Sequence, residues 1–159
     1  PAGRNVSPWR DQMIKLEYSI KINANKAHVW KTMLEPGKNE QWVKAFSEGS
    51  RFEGKWEQGA TVRFVDPAMG GTKAILEIVD PYDGIRAKHI AMITDDGKEE
   101  TDNDTARRWI GTTEKYEFFE HQGQTTITIE MNTHSSFVDM FDACWPKARD
   151  NMKRLSGAR

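Results

Sequence analysis

The segment from residue 114 to residue 131 reads EKYEFFEHQGQTTITIEM, and the fold prediction starts from it. Apolar residues take every second position on both sides of Gln122-Gly123, which is the period of strands with one buried face. A two-residue turn at Gln122-Gly123 fixes how these two strands pair. The predicted pairs are His121 with Gln124, Phe118 with Ile127, and Tyr116 with Ile129. The last four side chains share one face, so the turn and the alternation predict the same hairpin.

Alternation of the same kind predicts further strands before this hairpin. The segments concerned are Ile14 to Ile22 and residues 52–64, 74–78 and 85–93. The acidic and polar residues 94–107 predict a long loop, and Ile110 is expected to begin the first strand of the hairpin. Together these segments indicate an antiparallel sheet of about six or seven strands.

Two short helices are predicted directly after the first strand. Apolar residues at helical spacing indicate a helix over residues 27–34, which Asn23 or Asn25 caps and Pro36-Gly37 ends. A second short helix is expected around Trp42. Both helices are too short to cover the sheet.

The last part of the chain predicts one long helix. Ser136 is its expected N-cap, and Pro146 is expected to bend it or restart it near Trp145, since proline has no amide hydrogen to donate. Its apolar stripe consists of Phe137, Phe141, Cys144, Ala148, Met152 and Leu155, broadened by Val138 and Trp145.

This order of elements predicts an α+β fold. We expect one domain over residues 13–155, preceded by a flexible N-terminal arm at residues 1–12. An antiparallel sheet with one apolar face must cover that face, and the C-terminal helix is the predicted element long enough to do so. A curved sheet around a single helix would leave a space between the two.

Composition narrows the classes of partner. The 159 residues carry 23 basic and 24 acidic side chains, so the net charge of −1 gives no general attraction to nucleic acid or anionic membranes. Apolar runs are far shorter than the ~20 residues that cross a bilayer, and the polar start lacks the apolar stretch of a signal peptide. The single cysteine excludes an internal disulfide. We expect a cytoplasmic protein without membrane insertion, metal or cofactor.

Several phrases, in this order and spacing, carry a resemblance to a known superfamily. They are INANKAHVWKTM (Ile22 to Met33), QWVKAFSEGS (Gln41 to Ser50), FEGKWEQGATVRF (Phe52 to Phe64), the hairpin segment quoted above, and MFDACWPKA (Met140 to Ala148). Over residues 13–155 the chain resembles the SRPBCC (START-like, helix-grip) superfamily, and most nearly its branch related to the activator of the heat-shock chaperone ATPase. The resemblance implies a curved sheet wrapped around the C-terminal helix with a hydrophobic cavity between them. It also implies lipid, polyketide or other apolar ligands in some members, cyclase or hydrolase activity in others, and chaperone binding in others.

Two polar residues fall on the predicted inward face of the sheet. His89 alternates in phase with Ala87, and Glu114 alternates in phase with Tyr116. If these strands pair, parity allows Glu114 opposite Ala87 and places His89 diagonally from it, within reach of long side chains. The pair could be structural, solvated, or a polar anchor for a ligand. No standard catalytic motif is present in the sequence. His89 and Glu114 are also the candidates for acid–base catalysis, because histidine and glutamate are the right residue types for proton transfer near neutral pH.

Most of the candidate ligand contacts are aromatic or small residues around the expected cavity. The set is Trp42, Phe46, Trp56, Phe64, Leu76, Ala87, His89, Ala91, Trp109, Glu114, Tyr116, Phe118, Ile129, Phe137, Phe141, Cys144 and Trp145. Ordinary core packing is the alternative for Phe118 and Phe141, because buried aromatics dominate protein cores. A small core residue is the alternative for Cys144.

Three functions remain open at this point. The first is binding of a small hydrophobic molecule in the cavity, and the second is a cyclase, aromatase or hydrolase reaction that uses His89 and Glu114. The third is a co-chaperone-like module that stimulates a chaperone ATPase. A fold alone does not choose among them.

Overall fold

A computed structural model describes residues 13–157 of the chain. The predicted arm at residues 1–12 lies outside the described residues. The α+β prediction is confirmed: a long C-terminal helix lies against one curved antiparallel sheet, and two short helices follow the first strand. Among residues 13–157, no helix combines the length and the apolar character that a membrane crossing requires.

The sheet within residues 13–157 has eight strands rather than the six or seven expected. The strands are β1 (Met13–Ile22), β2 (Arg51–Glu53), β3 (Thr61–Asp66), β4 (Gly70–Asp80), β5 (Gly84–Ile93), β6 (Glu99–Glu100), β7 (Thr113–His121) and β8 (Gln124–His134). The order across the sheet is β1-β8-β7-β5-β4-β3-β2, and β6 pairs with β5. The additional strands are short, since β2 has three residues and β6 has two, and segments of that length show no alternation in the sequence.

The register predicted for the β7–β8 hairpin is confirmed. The structure pairs each of the residues as expected: His121 with Gln124, Phe118 with Ile127, and Tyr116 with Ile129. Both turn residues have positive φ, 51° for Gln122 and 76° for Gly123, as a type I′ turn requires. This turn has the twist that suits an antiparallel hairpin.

The loop prediction for residues 94–107 was wrong. That segment holds β6 and the start of helix α3 (Asp104–Trp109), whose N-cap Asn103 accepts a hydrogen bond from the amide of Ala106. The hairpin strand starts at Thr113 and not at Ile110, because Gly111 with φ of 96° interrupts the extended backbone.

The helices after β1 are α1 (Lys26–Leu34) and α2 (Pro36–Val43). Asn25 caps α1 by accepting a hydrogen bond from the amide of His28, so one of the two predicted caps is confirmed. Pro36 occupies the first turn of α2, where a missing amide hydrogen costs little. It therefore starts the second helix as well as ending the first.

The long C-terminal helix is α4 (Val138–Ser156), and two details differ from the prediction. Ser136 is not its N-cap: Ser135–Phe137 form a 3-10 turn, and the side chain of His134 accepts a hydrogen bond from the amide of Ser136. Pro146 lies inside the helix without a restart. Buried residues on both sides of it, Phe141, Trp145, Ala148 and Met152, anchor α4 to the sheet, and this packing outweighs one lost hydrogen bond.

Replacement by alanine should change the free energy of unfolding in opposite directions at two glycines. A Cβ at Gly71 in β4 would lie 1.7 Å from the backbone oxygen of Phe64, so Gly71→Ala should lower the free energy of unfolding by at least about 2 kcal/mol. A Cβ at Gly37 in α2 would meet nothing within 4 Å, so Gly37→Ala should raise it by about 0.5 kcal/mol. Urea unfolding measures both, and equal midpoints for the two variants would contradict this close approach of β3 and β4.

Candidate functional site

A cavity of about 390 Å³ lies between the concave face of the sheet and the helices α1, α2 and α4. This volume is within the range of small-molecule sites in proteins. Two other hollows lie on the outer face of the sheet and are lined largely by exposed and charged side chains. The internal cavity is therefore the candidate site.

The structure brings many of the sequence-predicted contacts together in the cavity wall. These are Trp42, Phe46, Trp56, Phe64, Ala87, His89, Trp109, Glu114, Tyr116, Phe141 and Trp145. Their rings contact one another: Trp42 stacks on Trp145 with a centroid distance of 6.2 Å, and Trp109 stacks on Phe141 at 6.0 Å. The wall is thus rich in aromatic rings.

Other predicted contacts are not among the residues that line this cavity. They are Leu76, Ala91, Phe118, Ile129, Phe137 and Cys144. Phe118, for example, lies in the core and meets the ring of Trp30 edge-on at 5.4 Å. Alternation identifies the inward face of a strand, but it does not distinguish the cavity wall from the packed part of the core.

Several lining residues were not predicted. They include Met33, Leu34 and Asn39 of the first two helices, residues 69–72 at the β3–β4 turn, and Met140 of α4. Thr72 alternates in phase with Ala74 and Leu76, so its inward direction could have been inferred from the sequence. Asn39 precedes Trp42 by three residues, which places both side chains on one face of α2.

A chain of hydrogen-bonded side chains runs across the strands on the sheet side of the cavity. The indole of Trp109 donates to Thr72 Oγ1 at 2.6 Å, and Thr72 Oγ1 lies 2.9 Å from His89 Nδ1. His89 Nε2 lies 2.5 Å from Glu114 Oε2, and the hydroxyl of Tyr116 donates to Glu114 Oε1 at 2.5 Å. His89 and Glu114 therefore meet, which the parity of their strands allowed.

Strand register places these groups. Glu114 in β7 is directly opposite Ala87 in β5, as predicted, and His89 is two residues further along β5. Beyond the last β5–β7 pair, the amide of His89 donates to the carbonyl of Thr112 at 2.8 Å. The diagonal contact between the imidazole and the carboxylate follows from this local geometry.

The hydroxyl of Thr72 lets both protonation states of His89 keep their hydrogen bonds. Thr72 Oγ1 accepts from Trp109, and its own hydrogen has two possible acceptors: His89 Nδ1, or the carbonyl of Ala91 at 3.1 Å. A neutral imidazole takes that hydrogen at Nδ1, whereas an imidazolium donates to Thr72, which then donates to Ala91. In both states, Nε2 donates to Glu114.

Electrostatics keep the Glu114 carboxyl ionised. Burial alone would raise its pKa, but the hydrogen bond and charge attraction from His89, with the hydrogen bond from Tyr116, outweigh burial and hold the pKa below the ordinary value. Burial first, and then the charge of Glu114 and the hydrogen bond to it, raise the pKa of Tyr116 well above its ordinary value. Tyr116 therefore stays a neutral donor.

Exposure shows which of these groups a ligand could touch. The side chain of His89 is 2% exposed and both of its ring nitrogens face protein atoms, whereas the side chain of Glu114 is 19% exposed. Of these two groups, it is thus the carboxylate and not the imidazole that is presented to the cavity.

The rim of the cavity has exposed methionine and a tethered loop. Met69 is 75% exposed in the β3–β4 turn, and Met140 of α4 is a second exposed methionine that lines the cavity. Asp66 joins the turn to the loop after α2, because its carboxylate accepts from the hydroxyl of Ser47 at 2.7 Å and from the amide of Gly49 at 3.1 Å. These hydrogen bonds, with that from Ala68, hold the pKa of Asp66 below its ordinary value.

The fold is shared with solved structures of low sequence identity. Ms6760 from Mycobacterium smegmatis matches with a TM-score of 0.69 at 16% identity, over 94% of this chain and 93% of that one. The Aha1 dimer from Colwellia psychrerythraea matches at 0.66 and 14%, over 92% and 98%. CalU16 from Micromonospora echinospora matches at 0.61 and 12%, over 91% and 74%. No protein-family model and no curated protein matches the sequence.

These likenesses establish the fold. The helix-grip architecture implied by the resemblance to the SRPBCC superfamily is confirmed, with an open antiparallel sheet and a long C-terminal helix. The nearer likeness to the branch of the chaperone-ATPase activator stays a prediction, because identities of this size show the fold alone.

The pH dependence of stability should reveal the buried carboxylate. Since the pKa of Glu114 is lower in the folded protein than in the unfolded chain, its contribution is complete above the unfolded value, ordinarily 4.5, and is lost as the pH falls through the folded value. The free energy of unfolding should therefore fall more steeply in acid for the wild type than for Glu114→Gln. Urea titrations at a series of pH values measure this difference, and parallel curves would contradict it.

Proposed function

We propose that the protein binds a small hydrophobic molecule in the cavity between the sheet and α4. The observation that carries this proposal is the cavity of about 390 Å³, which has a mainly apolar wall rich in aromatic rings and one ionised group, Glu114, facing it. Apolar walls with a few placed polar groups are typical of ligand sites. The cytoplasm is the proposed place of action, because a single free cysteine suits a reducing compartment.

The wall can supply affinity without polar contacts. Trp42, Phe46 and Trp145 contact one another, with Phe46 and Trp145 centroids 5.0 Å apart, and Trp109 stacks on Phe141. A ring contact between Phe46 and Phe141 at 6.3 Å joins the two groups. A guest that covers these faces removes apolar surface from water and gains stacking contacts. The rings also contact one another, so little side-chain freedom remains to be lost on binding.

The carboxylate can orient such a guest. Glu114 accepts hydrogen bonds from His89 and Tyr116, and a carboxylate has further lone pairs for a ligand hydroxyl. A group fixed by two hydrogen bonds pays little to receive a third, since it does not have to reorganise. The expected ligand therefore has an aromatic or alicyclic body with a hydrogen-bond donor.

Filling part of the cavity should weaken binding. Naphthalene is a suitable probe, and Ala87→Leu should weaken its binding at least about tenfold, because the larger side chain occupies the cavity beside Glu114. Phe119→Ala is the control, since Phe119 is 57% exposed and is not a lining residue. Isothermal titration calorimetry measures both affinities. Failure of the wild type to bind any apolar probe would overturn the proposed function.

One observation favours a reaction as the second candidate function. The short contact between His89 and Glu114 resembles the pairing of an acid–base site, and Glu114 is the partner that faces the cavity. In this reading, the Glu114 carboxylate removes a proton from the carbon next to a ligand carbonyl and leaves an enolate. The carboxylic acid so formed exchanges its proton with solvent and then returns one to the same carbon, which restores the ketone and the carboxylate. Binding ranks first because both ring nitrogens of His89 are engaged with protein groups.

Proton exchange on a bound ketone tests this second candidate. In deuterium oxide the protein should accelerate exchange of the α-protons of 2-tetralone, as followed by nuclear magnetic resonance, and Glu114→Gln should remove the acceleration because an amide does not accept the proton. Phe119→Ala should keep it, since its ring is on the outer face of β7. Exchange at the buffer rate in the wild type would exclude this candidate.

The chaperone-stimulating module ranks third. Its support is the shared fold with the Aha1 dimer, and the cavity geometry adds nothing to it. Co-purification with a chaperone ATPase would be the observation in its favour.

A further inference from the structure

The fixed charge in the cavity wall is negative. Among the described residues that line the cavity, Glu114 is the one acidic side chain, and no lysine or arginine is present. Both oxygens of its carboxylate accept hydrogen bonds, one from His89 Nε2 and one from the hydroxyl of Tyr116, and these bonds stabilise the ionised form. A ligand that enters the cavity therefore approaches an anion.

His89 is the residue of the wall that can carry a compensating charge. Its imidazole is buried, both ring nitrogens face protein atoms, and Nε2 is already engaged by the carboxylate. With a neutral imidazole, the full negative charge remains in the wall. With an imidazolium, the ligand still meets the carboxylate first, because the side chain of Glu114 is the more exposed of the two.

The surroundings of Glu114 strengthen the electrostatic effect of its charge. Ala87, directly opposite in β5, and Tyr116 in β7 are both buried. In such an interior, charges attract and repel several times more strongly than in water, and over several ångströms. A ligand cation gains from this field without having to touch the carboxylate. A ligand anion loses its hydration and is repelled as well.

Three indoles of the wall offer an anion no N–H group. The indole of Trp42 donates to the carbonyl of Met33 at 3.0 Å, and that of Trp109 donates to Thr72 Oγ1 at 2.6 Å. The indole of Trp145 donates to the sulfur of Met131 at 3.3 Å. What these rings present to a ligand is therefore carbon, and the π-electrons of an indole attract cations.

Two of these indoles adjoin the residues that hold the carboxylate. The ring centroid of Trp145 lies 6.2 Å from that of Tyr116, and the centroid of Trp109 lies 4.6 Å from that of His89. The anion and both indoles thus belong to one part of the wall. A carboxylate next to aromatic rings is an arrangement that suits an ammonium group.

We propose that the cavity selects for positive charge and that its ligand is an apolar molecule with one ammonium group, held by the charge of Glu114 and by the aromatic wall. This inference rests on the proposed function and adds the charge of the ligand to it. The apolar body of the ligand covers the rings, and the ammonium group supplies the counter-charge that no lysine or arginine of the wall provides.

Four naphthalenes test the proposal by calorimetry on the wild-type protein at neutral pH. The cation of 2-(aminomethyl)naphthalene should bind at least about tenfold more tightly than 2-naphthalenemethanol, because it forms an ion pair in a largely desolvated site. The alcohol has the same shape and also donates a hydrogen bond, so this comparison isolates the charge. The anion 2-naphthoate should bind more weakly than the alcohol, and naphthalene measures binding by the apolar wall alone.

Glu114→Gln assigns the preference to the carboxylate. Glutamine has the same shape and can accept the same hydrogen bonds, but it carries no charge. The ratio of the affinities for the amine and the alcohol should therefore fall to about one. Phe119→Ala should keep the wild-type ratio, since Phe119 is exposed and does not line the cavity. If Glu114→Gln does not fold, the wild-type series decides the question by itself.

The outcomes separate this inference from the proposed function. Binding of naphthalene with equal affinities for the amine and the alcohol overturns the inference alone. Binding of 2-naphthoate as tightly as the amine also overturns it, and so does a preference for the amine that Glu114→Gln retains. Binding of none of the four compounds overturns the proposed function and the inference together.

Discussion

An ionised carboxylate in an apolar interior needs hydrogen-bond donors, and Glu114 imposes that requirement on the whole cavity. His89 and Tyr116 meet it directly. His89 in turn is held by Thr72, and Thr72 by the indole of Trp109, so one buried charge is connected through three strands to helix α3. Hydrogen-bonded polar side chains are therefore confined to the sheet side of the cavity, and the remainder of the wall can be apolar.

Much of this arrangement was predictable because strand pairing follows a local rule. Alternation and one turn determined the β7–β8 register, and parity placed Glu114 opposite Ala87. The same rule did not indicate α3, because only Ala106 and Trp109 of that short helix are buried and its other residues are polar. Its N-cap Asn103 was the available signal.

What escaped prediction depends on contacts between distant segments. Pro146 suggested a break in the last helix, but burial of Phe141 and Trp145 before or beside it, and of Ala148 after it, keeps α4 continuous. Asn39 resembled any surface amide of a short helix until the fold placed it against Met33 and the cavity. A periodic pattern shows which face is inward, but it does not show where the interior is empty.

The two hydrogen-bond patterns open to Thr72 have a consequence for the polar side of the cavity. Rotation of one hydroxyl is sufficient to change between them, and no heavy atom has to move. The imidazole next to Glu114 can therefore keep its hydrogen bond to Thr72 in either pattern within an unchanged framework. A polar network whose heavy atoms do not have to move imposes a low reorganisation energy on a charge that develops inside the cavity.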